Sequence, residues 1–299
     1  MTAAINHVRT PNLEIAYEES GDAATIPVVL LHGWPYDPRC YDGVVPPLVA
    51  AGCRVLVPYL RGFGPTRFLS TTAPRSGQQA ALGHDLLEMM DALAVERAIL
   101  AGYDWGGRAA CIVAALWSER VRGLVTVNGY NIQDIAGSKE PHDPAQERRY
   151  WYQWYFQTER GRTGLDLDRR AFCRLLWQLW SPNWSFNEAT FARSAASFDN
   201  ADFVGVTIHS YRHRYGNAAG DPTLEEIEKR LAAKPKIAVP TIALQGEADA
   251  VLPPELSGRH GAFFTGPYQY RVLPKIGHNP PQETPAVFAD AILELAKTA

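Results

Sequence analysis

Short apolar runs recur along the chain. Pro27-Val-Val-Leu-Leu31, Arg54-Val-Leu-Val57, Ala98-Ile-Leu-Ala101, Gly123-Leu-Val-Thr-Val127, Thr241-Ile-Ala-Leu244 and Tyr268-Gln-Tyr-Arg-Val-Leu273 each have the length and β-branched content of a buried strand. Between them, Leu82, Leu86, Met89, Met90 and Leu93 repeat at three and four residues, the spacing of one helical face. A second helix is predicted from Gly106 to about Trp117. Strands that alternate with helices predict an α/β fold, a mostly parallel sheet flanked by helices. Ligands of such sheets bind beyond the carboxyl ends of the strands.

The alternation stops after Val127. From about residue 129 to 234 the pattern is helical and aromatic, and it resumes at Ala238-Val-Pro-Thr-Ile. The expected organisation is a core domain of residues 1–128 and 235–299, with residues 129–234 inserted as a helical lid over the strand ends. Trp151, Trp154, Trp177, Trp180 and Trp184 all fall in this insertion and suggest a distinct aromatic layer.

Composition narrows the class. At 299 residues and 46% hydrophobic, the chain can bury a large core. Its net charge is −3 with no basic block, so no nucleic-acid partner is expected. No apolar run is long enough to span a bilayer and the first residues lack a signal-peptide core, so no membrane association is expected. Cys40, Cys53, Cys111 and Cys173 form neither a metal motif nor a disulfide ladder, which fits a cytoplasmic location.

The chemistry centres on Gly102-Tyr-Asp-Trp-Gly-Gly107, directly after a predicted strand. Small residues around Asp104 are what a nucleophile elbow needs, because the turn is too tight for flanking side chains. Asp249 follows the strand ending at Leu244, and His278 follows the strand ending at Leu273. Nucleophile, acid, histidine is a known chain order for a hydrolytic triad. A carboxylate is already ionised at neutral pH, so it suits displacement at saturated carbon, leaving an alkyl ester on the enzyme. Hydrolysis of that ester needs a base, His278 oriented by Asp249, and an oxyanion hole. The backbone N–H groups of Trp105 and of Trp34, in His32-Gly-Trp-Pro35, are the candidate donors. Pro35 is a candidate cis residue. Asp134 and Glu247 are rival third members.

These residues resemble one branch of the α/β-hydrolase fold, which holds epoxide hydrolases and haloalkane dehalogenases. The resemblance spans almost the whole chain and is weakest in the lid. Within it, Tyr150-Trp-Tyr-Gln-Trp-Tyr-Phe-Gln157 resembles the first lid motif of epoxide hydrolases, and Ser210-Tyr-Arg212 the second. The resemblance implies Tyr152 and Tyr211 as ring-opening acids, with Tyr215 as the nearest rival to Tyr211. It also implies a substrate pocket bordered by Trp34, Trp105 and Gln153.

Three readings follow. The first is an epoxide hydrolase that turns a small apolar epoxide and water into a vicinal diol without a cofactor or metal. The second is a haloalkane dehalogenase, with the Trp105 indole as one halide donor. Against it, Trp34 stands where many dehalogenases have Asn, and no carboxylate follows the strand at Val127 before Asp134. Trp105 likewise argues against a fluoroacetate-type site, where Arg follows the nucleophile, and Tyr103 replaces the His often found before it. The third is an inactive ligand-binding relative. Monomer and homodimer both stay open.

Overall fold

The structure, a computed structural model, describes residues 4–297. Nine strands form one sheet among the described residues: β1 Ile5–Arg9, β2 Leu13–Ser20, β3 Ile26–Leu31, β4 Cys53–Pro58, β5 Arg67–Phe68, β6 Ala98–Gly102, β7 Val121–Val127, β8 Thr241–Gly246 and β9 Tyr268–Leu273. The order is β1-β2-β4-β3-β6-β7-β8-β9, with β5 paired to β2. From β4 to β9 the pairings are parallel, while β1, β2 and β5 pair antiparallel at one end. The six predicted runs are the six parallel strands. Strands β6 and β8 are buried along their full length, as a sheet covered on both faces requires.

The other three strands carry no such run. β1 is mostly exposed, and β2 mixes buried Leu13, Ile15 and Tyr17 with Glu14, Glu18 and Glu19. Glu18 is buried only because Arg39 and the Tyr59 hydroxyl bond to it.

The predicted amphipathic helix is Gln79–Ala92, with Leu82, Leu86, Met89 and Met90 buried and Leu93 just past its end. It packs on the helix Asp104–Leu116 so closely that a Cβ at Gly83 would stand 2.3 Å from a methyl of Ile112. That second helix starts two residues before the predicted Gly106, at Asp104 itself.

Between β7 and β8 the described chain holds seven α-helices and no strand. Two indole N–H groups tie this insertion to the core. Trp177 donates to the Pro35 carbonyl at 2.8 Å, and Trp34 donates to the Thr207 hydroxyl at 2.9 Å. Trp177 also stacks on Tyr36 and Trp184. All four cysteines are buried free thiols. No described helix is long and apolar enough to cross a membrane.

The loop after β4 is anchored by one ion pair. Buried Arg61 donates two 2.6 Å hydrogen bonds to Asp85, on the helix Gln79–Ala92, and a third to the Ser76 carbonyl. Removing the carboxylate strands a buried guanidinium. We expect Asp85→Ala to cost about 3–5 kcal/mol in urea unfolding, whereas breaking an exposed pair such as Lys229–Glu226 should leave the unfolding midpoint almost unchanged.

Candidate active site

Because β3, β6, β7, β8 and β9 are parallel neighbours, the loops leaving their carboxyl ends share one edge of the sheet. The predicted residues sit in those loops. Trp34 lies three residues beyond β3 and Asp104 two beyond β6. Asp249 lies three beyond β8 and His278 five beyond β9.

Asp104 occupies the left-handed backbone region, with φ +50°. The strand turns into the helix at this one residue, so the backbones on either side nearly touch. A Cβ at Gly106 would lie 2.0 Å from the Leu31 carbonyl oxygen, and one at Gly33 would lie 2.8 Å from the Asp104 Cβ. The turn projects the Asp104 carboxylate off the sheet edge, 15% exposed.

The facing loop is held by His32. Its Nδ1 bonds the Gly33 carbonyl at 2.9 Å, and its Nε2 accepts from the Leu60 amide at 3.1 Å. That pattern needs a neutral ring, and burial lowers the His32 pKa to about 4. The Trp34–Pro35 peptide is cis. The Trp34 amide donates to Asp104 Oδ1 at 2.7 Å. Trp105 is the second residue of its helix, so its N–H has no intrahelical acceptor.

On the other side of Asp104, His278 Nε2 lies 3.9 Å from Oδ2, too far for a hydrogen bond, and it is buried without a partner. His278 Nδ1 donates to Asp249 Oδ2 at 2.9 Å. Asp249 also accepts from the Val251 and Leu252 amides and from the Asn128 side chain at 2.8 Å. The rivals are engaged with other partners: Asp134 pairs with Lys234, and Glu247 accepts from the Lys275 amide.

Charge follows from this geometry. Burial alone would lower the His278 pKa, but the carboxylates of Asp249 and Asp104 raise it to about 10. Burial pushes Asp104 up. The His278 ring, the Arg108 charge and the Trp34 amide outweigh burial and hold the carboxyl below its ordinary value. The site at neutral pH is therefore an imidazolium between two carboxylates.

The insertion closes a cavity of about 390 Å³ over Asp104 and His278, with Tyr152, Gln153, Tyr211 and Arg108 in its wall. Gln153 Nε2 donates to the Tyr152 hydroxyl at 2.9 Å, and the Tyr215 hydroxyl donates to Gln153 Oε1 at 2.7 Å. Gln153 thus fills the acceptor side of Tyr152 and leaves the phenolic proton free to turn elsewhere. Burial raises the pKa of Tyr152 and of Tyr211, with Asp104 adding to both, so both stay protonated. The rings of Trp34 and Trp105 pack against the two tyrosines: Trp34 stacks on Tyr152 and meets Tyr211 edge-on, and Trp105 meets Phe63 and Tyr211.

Residues 26–284 match the family model of the alpha/beta hydrolase fold. The chain belongs to the α/β-hydrolase fold family. Among solved structures it is similar to a "putative epoxide hydrolase" from Klebsiella pneumoniae, with 46% identity over 98% of this chain and 97% of that one and a TM-score of 0.96. It is 24% identical to Epoxide hydrolase A of Mycobacterium tuberculosis, over 96% of this chain and 95% of the relative. Against a haloalkane dehalogenase of Mycobacterium marinum it is 36% identical, over a stretch spanning 40% of each chain.

Several groups in this α/β-hydrolase site had no signal in the sequence. Asn128 takes the position after β7 with φ +66° and bonds Asp249. Ser181, from the insertion, accepts the His278 amide at 2.9 Å and donates to Glu283, whose carboxylate also accepts the Gly277 and Asn279 amides. Arg108, four residues after Asp104, had one usable signal: positions i and i+4 share a helix face.

Two outcomes are expected. Gly106→Ala should fail to yield soluble protein, because a methyl 2.0 Å from the Leu31 carbonyl oxygen has no space. The raised pKa of His278 stabilises the fold fully below about 6.5, its unfolded value. That contribution is lost as pH rises through about 10. The stability difference between wild type and His278→Gln should therefore shrink from pH 7 to pH 10 in denaturant titrations. A difference that grows over that range would contradict the assigned charge state.

Proposed function

We propose that the protein is an epoxide hydrolase acting through an ester on Asp104, with residues 129–234 as its lid. The observation that carries this reading is that two buried phenols, Tyr152 and Tyr211, border the same cavity as Asp104 and His278. Similarity to epoxide hydrolases over nearly the full chain supports it.

In the first step, Asp104 Oδ2 attacks an epoxide carbon, and that carbon's bond to the ring oxygen breaks. The ring oxygen takes a proton from Tyr152 or Tyr211. The phenol held by Gln153 has its proton free to give. The product is a hydroxyalkyl ester with one neutral carboxyl oxygen, Oδ1, still on the Trp34 amide.

Esterification removes one of the two negative charges that raise the His278 pKa. The imidazolium then loses its proton more readily, and the neutral ring becomes a base only after the ester exists. The proton it sheds can restore the phenol. Water then attacks the Asp104 carbonyl carbon while its proton passes to Nε2. Charge develops on Oδ1, where the Trp34 and Trp105 amides stabilise it. Collapse releases the diol, whose oxygen takes the proton back from His278. Asp249, fixed by Asn128 and two backbone amides, holds the ring and its positive charge through this step.

A halide needs N–H donors instead of an acid. The similarity to a haloalkane dehalogenase keeps that reading in view. Against it, the Trp34 indole is committed to Thr207, which leaves the Trp105 indole as the one candidate of the pair.

With styrene oxide, His278→Gln should accumulate an adduct on Asp104, seen by intact-protein mass spectrometry. Tyr152→Phe and Tyr211→Phe should each slow adduct formation by about 10-fold or more, and the double variant should nearly abolish it. Bromide release from 1-bromobutane at a rate above styrene oxide hydrolysis, with both Phe variants unaffected, would replace this reading with the dehalogenase one.

A further inference from the structure

Arg108 is 7% exposed, yet among the described residues it makes no hydrogen bond and no ion pair, and its Nε is sealed from solvent without a partner. It lines the Asp104 cavity. A guanidinium whose Nε is buried without an acceptor is unfavourable unless something bonds it. Asp104 does not, since the two form no ion pair within 4 Å. Arg214 is a second guanidinium in the same wall. Its neighbours are the rings of Tyr150 and Tyr215, at 5.6 and 5.7 Å, and no carboxylate pairs with it.

The placement is orderly. Arg108 lies four residues after Asp104 on the helix Asp104–Leu116. Arg214 lies three residues after Tyr211 on the helix Phe203–Arg214. Both spacings put the pair on one helix face, about one turn or 5 Å apart. Each helix thus presents one reacting residue and, a turn further on, one guanidinium. The cavity wall therefore sets two guanidiniums beside its reacting residues Asp104, Tyr152 and Tyr211. The other charges facing the cavity do not neutralise them: Asp104 faces His278, and Asp134 is taken by Lys234.

Resting on the epoxide reading above, we propose that the substrate carries a carboxylate a few bonds from the epoxide ring, bound by Arg108 with Arg214 beside it. A planar guanidinium fork matches a carboxylate in two parallel hydrogen bonds. The short spacing places the anion on a carbon next to the ring or one beyond it, as in a 2,3-epoxy acid. The aromatic lid then surrounds the rest of the substrate.

The test separates binding from turnover. First, 3-phenylpropionate and its neutral isostere 3-phenylpropanamide are titrated into the wild-type protein at pH 7 by calorimetry. The carboxylate should bind about 10–100-fold tighter. Arg108→Met should lower that ratio by at least about 10-fold, and Arg108→Lys should restore part of it. Second, kcat/KM is compared for 3-phenylglycidate, 3-phenylglycidamide and styrene oxide. The acid should be preferred over the amide, mainly through KM. Equal or tighter binding of the amide to wild type overturns the proposal, as does a ratio that survives both Arg108→Met and Arg214→Met. Carboxylate-selective binding with none of the three epoxides turned over would sink the epoxide reading and leave the anion subsite standing. Turnover of the neutral epoxides without preference for the acid would do the reverse.

Discussion

The site depends on how closely three backbones meet at the elbow. Strand β6 reverses into a helix at the single residue Asp104, and the loop after β3 lies against that turn with no room for a methyl at Gly33 or Gly106. This contact fixes the distance between the Asp104 carboxylate and the Trp34 amide before any side chain is chosen. The parallel sheet does the rest. It brings the loops after β8 and β9 to the same edge, so Asp249 and His278 meet Asp104 from chain positions more than 140 residues away.

Around that elbow the structure balances buried charge in two ways. Where a charge has a structural task it is paired, as in Arg61 with Asp85 or Glu18 with Arg39. At the reacting centre two charged groups are left less than paired. His278 Nε2 and Arg108 Nε both lack partners, while His278 Nδ1 is bonded to Asp249. Unspent donors and acceptors of this kind are costly in an apolar interior and useful at a reacting centre, because they need no reorganisation when a substrate arrives.

Much of this was legible in the sequence, for identifiable reasons. The five inner parallel strands are largely apolar because both faces of the sheet are covered there, while β9, at the edge, is only partly buried and mixes apolar with polar residues. The elbow announces itself through glycines that a tight turn demands. Tyr152 and Tyr211 were reached by resemblance, not by periodicity. The strands β1 and β5 escaped because they lie at the end of the sheet and need no apolar run, and β2 because its apolar residues are interspersed with glutamates. Asn128 and Ser181 escaped because their roles arise from hydrogen bonds across 121 and 97 residues of sequence, which no local pattern encodes. The resemblance implied a pocket bordered by Trp34, Trp105 and Gln153. It gave no hint of Arg108, which in sequence resembles any solvated helix arginine and takes a place in the cavity wall.

The two indole tethers bear on traffic through the enzyme. Trp177 fastens one insertion helix to Pro35, and Trp34 fastens another through Thr207, so both grip the loop that carries the Trp34 amide. Swinging the whole insertion away would pull on that loop and disturb the bond from the Trp34 amide to Asp104. The stretch from Ile132 to His142, which also borders the cavity, carries neither tether and contains a single short 3₁₀ turn. Its hold on the rest of the insertion includes the bond from Ser138 to the Arg214 carbonyl.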